Sequence, residues 1–290
     1  MVRYSENPFL SVQGEGKYTG ELCTWLRLFA CNLQCAGFSQ PDPADPKTYI
    51  KPINFNPKEI TRLEDIPTPK YGCDSAYSVS AQYKHLAKTA DYKTIGDEII
   101  KLLPFGLFQH PNKPNKIGHV FTGGEPLLQQ KAIIGIVAYW LSTNNYPHRI
   151  TFETNGTQSL SDEFVNQIAM WKYHGIEVVF SISPKLLHTS GEHPDKAIKF
   201  DVIKQLKEVG SKTYLKFVLN QDERSWQQAS DIVSCLDSSI EVWAMPVGGV
   251  YEQQCNPEVS KLADKAIFEY GWHISNRTHI IMWGNDQMGR

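Results

Sequence analysis

Three cysteines offer the chain's most specific chemistry. Cys31 and Cys35 stand in Cys31-Asn-Leu-Gln-Cys35, directly after the apolar run 22–29, and Cys73 stands in Tyr71-Gly-Cys73-Asp-Ser75, beyond a stretch rich in proline and charge. Three thiolates are what an iron–sulfur cluster requires if one iron is to stay open to a small molecule, whereas a fourth would close it. With three residues between them, Cys31 and Cys35 in a loop can turn both sulfurs toward one metal centre. Two plainer readings of the pair stand beside this one. Free cysteines are among the most buried residue types, and a zinc site would draw in a fourth ligand such as a histidine. The histidines show no metal spacing and are read as surface or core side chains, with Cys235 and Cys255 as inert thiols.

A second set of polar residues recurs just after apolar runs. Gly123-Gly124-Glu125-Pro126 follows the run 119–122, Glu153 ends the run 150–153, Ser183-Pro-Lys185 follows 177–182, and Asn220 follows 214–219. Short runs bounded by turn residues read as strands, and apolar residues at a 3.6-residue period read as helices. Helices are therefore expected at 95–103, 127–141, 162–171, 197–209, 226–236 and 257–270, with further strands at 241–245 and 279–283. Repeated alternation of strand and helix argues for parallel strands joined by crossover helices. In such sheets and barrels, ligand-facing residues gather at the carboxyl ends of the strands. A Gly-Gly there can be only a turn, and a lone Glu or Lys a solvated charge; their shared location favours a site.

Near the N terminus, Gly14, Gly16 and Gly20 prevent a regular helix and let the backbone approach a ligand closely. Arg27 is the one charge within the run 22–29, suited either to an anionic ligand or to a salt bridge with Glu15 or Glu21. Residues 39–72 hold seven prolines and read as an irregular surface excursion inside a single domain spanning 1–290.

Composition narrows the functional classes. The chain of 290 residues is 41% hydrophobic and 21% charged with a net charge of −2, which suits a globular α/β protein and leaves no basic footprint for nucleic acid. The first residues lack the apolar core of a signal peptide, and the longest helical apolar run, 132–141, is too short to cross a bilayer. A cytoplasmic protein without membrane or direct nucleic-acid contact is expected, in which six cysteines favour metal or redox roles over disulfides.

Taken in order, Cys-Asn-Leu-x-Cys, Gly123-Gly-Glu-Pro126, Glu153-Thr-Asn-Gly156 and Ser183-Pro-Lys185 resemble the radical S-adenosylmethionine (SAM) enzymes. The opening Phe9-x-x-x-Gln13-Gly-Glu-Gly16 and Cys73-Asp-Ser75 are most similar to the 7-carboxy-7-deazaguanine synthases within them. The resemblance runs from about Tyr4 to the final strand. Where the family commonly places its third cysteine, this chain has Phe38, so 39–72 reads as an insertion in the cluster loop and Cys73 as the third ligand.

The resemblance implies an incomplete (β/α) TIM-like barrel of the radical SAM type, and a lyase with three cofactors: a 4Fe-4S cluster, SAM and Mg2+. An electron from the cluster would cleave SAM, and the resulting 5′-deoxyadenosyl radical would take hydrogen from the substrate. It implies Cys31, Cys35 and Cys73 as cluster ligands, and Ser75 as a magnesium ligand. Gly123, Gly124 and Glu125 would meet the methionine end of SAM, Glu153 its ribose, and Ser183 with Lys185 its carboxylate. For 6-carboxy-5,6,7,8-tetrahydropterin as substrate, it implies Gln13, Gly14 and Glu15 on the purine-like edge and Arg27 on the carboxylate. An external electron donor such as flavodoxin and a homodimer are also implied, as is a product destined for queuosine-type or other deazaguanine modification. Two alternatives are a glycyl-radical activase acting on a protein partner and a non-catalytic or zinc-binding protein.

Overall fold

The apolar runs pair into one sheet. The computed structural model describes residues 1–50, 56–67 and 69–284. Its strands are β1 (Val2–Tyr4), β2 (Phe9–Val12), β3 (Leu22–Leu28), β4 (Lys88–Ala90), β5 (Gly118–Gly123), β6 (Arg149–Thr154), β7 (Glu177–Ile182), β8 (Lys212–Leu219), β9 (Glu241–Pro246) and β10 (His273–Ile274). They lie in the order β10-β9-β8-β7-β6-β5-β3-β1-β4, with β2 paired on β3. From β3 to β10 every pairing is parallel, while β1, β2 and β4 add an antiparallel flank.

Crossover helices Gln130–Ser142, Asp162–Tyr173, Phe200–Val209, Glu223–Ser234 and Glu258–Phe268 cover one face of this sheet, joined by Tyr92–Leu102 ahead of β5. Their starts are set by side-chain caps: Asp91 accepts from Thr94 N, Ser161 from Phe164 N and Asp222 from Arg224 N. The main core lies between helices and sheet. Phe121, Phe152 and Phe180 stack along neighbouring strands at 5.5 and 5.3 Å, and Trp140, Trp171 and Trp226 come down from the helices, fully buried. Because side chains alternate along a strand, the residues between these apolar ones point to the other face. Arg27, Thr122, Glu153, Ser181 and Lys216 thereby share one interior.

The sheet curls but does not close, since β10 and β4 remain its two ends. The expected incomplete barrel is the result. The loop after β2 spans part of the opening: Lys17 Nζ reaches Glu241 Oε2 at 2.8 Å, Tyr18 OH donates to Glu177 at 2.9 Å, and Gly16 N donates to Ser275 Oγ at 2.6 Å. Gly16 has φ +70°, and a Cβ there would lie 2.8 Å from the Tyr214 hydroxyl, so the close approach requires glycine.

Three expected elements differ. The helix expected at 197–209 is two pieces, Pro194–Ala197 and Phe200–Val209, interrupted where Ile198 is extended. That expected at 127–141 begins as a 3-10 turn, Pro126–Gln129, because Pro126 and the Glu125 cap fix the first turn. The strand expected at 279–283 is instead the helix Thr278–Trp283, and the last strand is the two-residue β10. A short apolar run carries no period long enough to separate the two states, and here the N–H of Thr278 donates to Gly14 O at the helix start. Among the described residues, the insertion 39–72 contains only 3-10 turns, as an irregular excursion would. Residues 51–55, 68 and the tail beyond Gly284 lie outside the described set.

Candidate active site

The carboxyl ends of the parallel strands open on a cavity of about 250 Å³. Cys31, Cys35 and Cys73 all border it, and they pack with Leu33, Phe38, Ala197 and Ile198 in a small apolar cluster of their own. The loop is pinned at its root. Gly124 N and Glu125 N donate to Leu28 O and Ala30 O at 3.0 and 2.8 Å. A Cβ on Gly123 would sit 2.3 Å from Leu28 O, and one on Gly124 2.0 Å from Ala30 O. The Gly-Gly pair is thus what lets β5 end against the start of the cysteine loop.

All three thiols are free. Burial raises Cys31, lifts Cys35 well above the ordinary thiol value, and with Asp74 pushes Cys73 up to about 12. Such thiols become thiolates only beside a compensating cation. Among the described residues no three His, Cys, Asp or Glu side chains close on one metal ion. A mononuclear zinc centre would need four ligands within about 2.3 Å of one point. A cluster distributes its cysteines over different irons, and three thiols that share one apolar cluster at the cavity wall fit that donor set.

The opposite side of the cavity is charged. Glu15 is gripped by Lys216 and by Arg277, whose Nε lies 2.8 Å from Glu15 Oε1. Arg277 also reaches Asp74 Oδ2 at 2.6 Å and donates to Gly248 O. Burial alone would raise the Glu15 carboxyl, but the two cations hold it well below its usual range. Arg27 pairs with Glu6 at 2.5 Å, not with the Glu15 or Glu21 weighed for it from the sequence. Glu21 pairs instead with Arg149 at 2.5 Å. Glu153 accepts from Gln13 Nε2 and Thr122 Oγ1, both at 3.1 Å, and Gln13 Oε1 accepts from Gly14 N.

Lys185 differs from Arg27, Lys216 and Arg277 on the cavity wall. It donates to Ser183 Oγ at 3.0 Å and lies 5.7 Å above the Phe38 ring, with no carboxylate in ion-pair range among the described residues. Ser75 borders the cavity and donates only to Asp74, at 3.3 Å. Glu125 lies beneath the wall, accepting from Leu127 N, Thr154 Oγ1 and Asn155 N, with its carboxyl pushed up to about 7 by burial. Two polar atoms on the wall, Trp25 Nε1 and Ser181 Oγ, are buried with no hydrogen-bond partner within ordinary distance among the described residues.

The structure thus gathers most of the sequence-derived residues on one cavity, with Glu125 just behind it, Gly14 packed against His279 instead of on the wall and Asn220 turned away to His188 O, and adds several that sequence reasoning missed. Lys216 carried the same signal as Arg27, a lone charge inside an apolar strand. Arg277 carried none, lying in an ordinary polar stretch, and His279 stood at the start of the run read as a strand; the fold brings both over Gly14. Leu63, Ile66 and Lys70 of the insertion also border the cavity, so the excursion forms part of its wall.

No family model matches the chain. A 7-carboxy-7-deazaguanine synthase of Koribacter versatilis is 26% identical over 154 residues, 53% of this chain and 44% of that protein. One of Methanopyrus kandleri is 25% identical over 228 residues, 79% of this chain and 73% of that protein. The chain is similar to 7-carboxy-7-deazaguanine synthases. It spans less than half of the first relative and about three quarters of the second. Among solved structures, QueE from Escherichia coli matches with a TM-score of 0.49 and 17% identity, over 96% of this chain and 95% of that one. The resemblance read from the cysteine, Gly-Gly-Glu-Pro and Gln-Gly-Glu motifs is borne out by the two sequence relatives. No helix among the described residues is long and apolar enough to cross a membrane.

Proposed function

We propose that the chain is a radical SAM lyase that converts 6-carboxy-5,6,7,8-tetrahydropterin to 7-carboxy-7-deazaguanine. One observation carries this reading: three free cysteines, Cys35 buried and Cys31 and Cys73 half-buried, share a single cavity with a polar wall made by Gln13, Glu15, Arg27, Glu153 and Lys216. Its two curated sequence relatives, both named for that synthase, support it.

In this reading Cys31, Cys35 and Cys73 hold a 4Fe-4S cluster, which with SAM supplies the radical chemistry when bound. The protein's residues bind, orient and exclude water. Lys185, a half-buried wall cation with no carboxylate in ion-pair range among the described residues, takes the SAM carboxylate, with Ser183 fixing its ammonium group in place. Gly123 and Gly124 face the methionine end, Glu125 beneath them serves its ammonium, and Glu153, aligned by Gln13 and Thr122, serves the ribose. Gln13, Gly14 and Glu15 read the pterin edge. Arg277 and Lys216 keep Glu15 ionised, so it accepts N–H donors as a carboxylate. Arg27 receives the substrate carboxylate, and Ser75 contributes a hydroxyl to Mg2+. A flavodoxin-type donor, a homodimer and a cytoplasmic setting complete the proposal. A glycyl-radical activase has no use for a buried carboxylate aimed at a small molecule, and the Glu15 cluster speaks against it.

The test is anaerobic reconstitution with iron and sulfide, comparing wild type with Cys73→Ala. Wild type should hold about four irons per chain, lose them in the variant, and turn over the tetrahydropterin with SAM. A wild type without iron, or a variant that keeps its full cluster, refutes the assignment of Cys73.

A further inference from the structure

The loop carrying Cys31 and Cys35 has a second anchor, on the side away from the charged wall. Glu192, buried at 7% exposure, stands in the connection between β7 and β8. Its Oε1 accepts from the backbone N–H of both Gln34 and Cys35, at 2.5 and 2.8 Å, and its Oε2 lies 3.4 Å from Lys196 Nζ. Beside it the two segments touch backbone to backbone. Gly37 N donates to Ser190 O at 2.9 Å. A Cβ on Gly37 would lie 2.7 Å from Gly191 N, and one on Gly191 2.3 Å from the Tyr49 hydroxyl. Cys35 itself is held at φ +51°. That conformation costs an L-residue about 1–3 kcal/mol and persists only where its surroundings over-determine it. Two charge-assisted hydrogen bonds converging on one carboxylate do so.

We propose that Glu192 is a positioning residue for the cluster: it clasps the cysteine loop and poises the bound cluster at a low reduction potential. The inference rests on the cluster reading above. The physical argument has two parts. Backbone N–H groups that donate to cluster sulfurs, and nearby positive charge, make reduction easier. Glu192 takes up the N–H groups of Gln34 and of Cys35 itself, which are then not free to donate to cluster sulfur, and adds a buried negative charge against that ligand's backbone, so both effects run toward harder reduction. Lys196 offsets part of that charge, but it is 51% exposed and screened by solvent.

Two variants separate clasp from charge. Glu192→Gln keeps an oxygen that can accept both N–H groups but removes the charge, whereas Glu192→Ala removes both. In metal-free protein under native conditions, alkylation of Cys35 should be about tenfold faster or more in Glu192→Ala, through easier local opening, and within a few-fold of wild type in Glu192→Gln. In anaerobically reconstituted protein, Glu192→Gln should hold as much iron as wild type and show a midpoint potential shifted upward in a redox titration followed by electron paramagnetic resonance. A residue that only holds the loop would leave that potential unmoved. Equal alkylation in all three proteins overturns the clasp, and an unshifted potential in Glu192→Gln overturns the poising. A wild type that takes up no cluster overturns the functional reading and the poising with it, while the alkylation rates still decide the clasp.

Discussion

Arg27, Lys216 and Arg277 on the inner wall each face a carboxylate, and Lys185, which does not, is informative. Arg27 has Glu6, Lys216 has Glu15, and Arg277 bridges Glu15 and Asp74, next to Cys73. Removing one partner of a buried pair strands the other charge. Arg277→Met should therefore destabilise the chain by about 3–5 kcal/mol in urea denaturation and abolish turnover of the tetrahydropterin. Lys185 strands no carboxylate when removed. Lys185→Met should leave stability within about 0.5 kcal/mol yet weaken SAM binding about tenfold or more by calorimetry, the loss of one charge-assisted contact. If Lys185→Met destabilises the fold as much as Arg277→Met does, Lys185 is structural.

At the scale of elements, the segment between β2 and β3 closes the open barrel from below while Gln13 and Glu15 face the cavity. Stability and site therefore share one loop. Gly16→Ala meets both a left-handed φ and the Tyr214 ring, so a loss of about 2 kcal/mol is expected from thermal or urea unfolding. Tyr18→Phe removes only the bond to Glu177, and should cost about 1 kcal/mol. The helix Thr278–Trp283 is the other such element: it brings His279 within contact of Gly14, and burial lowers that imidazole to about 4, keeping it neutral at pH 7.

For the whole molecule, acid stability is set in part by a histidine far from the cysteines. His119 is fully buried against Phe121 and Trp140, bonds Thr24 through Nδ1, and is lowered to about 3 by desolvation. In the unfolded chain it titrates near 6.5. Between those values the unfolded chain binds a proton that the folded one does not, so its contribution is complete above pH 6.5 and falls as the pH drops toward 3. The chain should lose about 2 kcal/mol between pH 7 and pH 5 through this group alone. His119→Gln should flatten that slope, as urea midpoints at the two pH values would reveal. An unchanged slope would mean that other groups dominate.

The alternation of strands and helices, the ligand-facing strand ends and the cysteine, glycine and carboxylate motifs were legible in the sequence, because side-chain periodicity and turn chemistry are local properties. Lys216 was legible in principle by the rule that singled out Arg27. Tertiary structure alone decided the rest. Arg27 found Glu6, not Glu15 or Glu21; Arg277 joined the site from a stretch with no signal; the run beginning at His279, read as a strand, became part of the helix Thr278–Trp283; and the proline-rich insertion became cavity wall. Partners for a buried charge, and the state of a short apolar run, depend on which segments become neighbours once the sheet curls, and that information is spread over residues hundreds of positions apart.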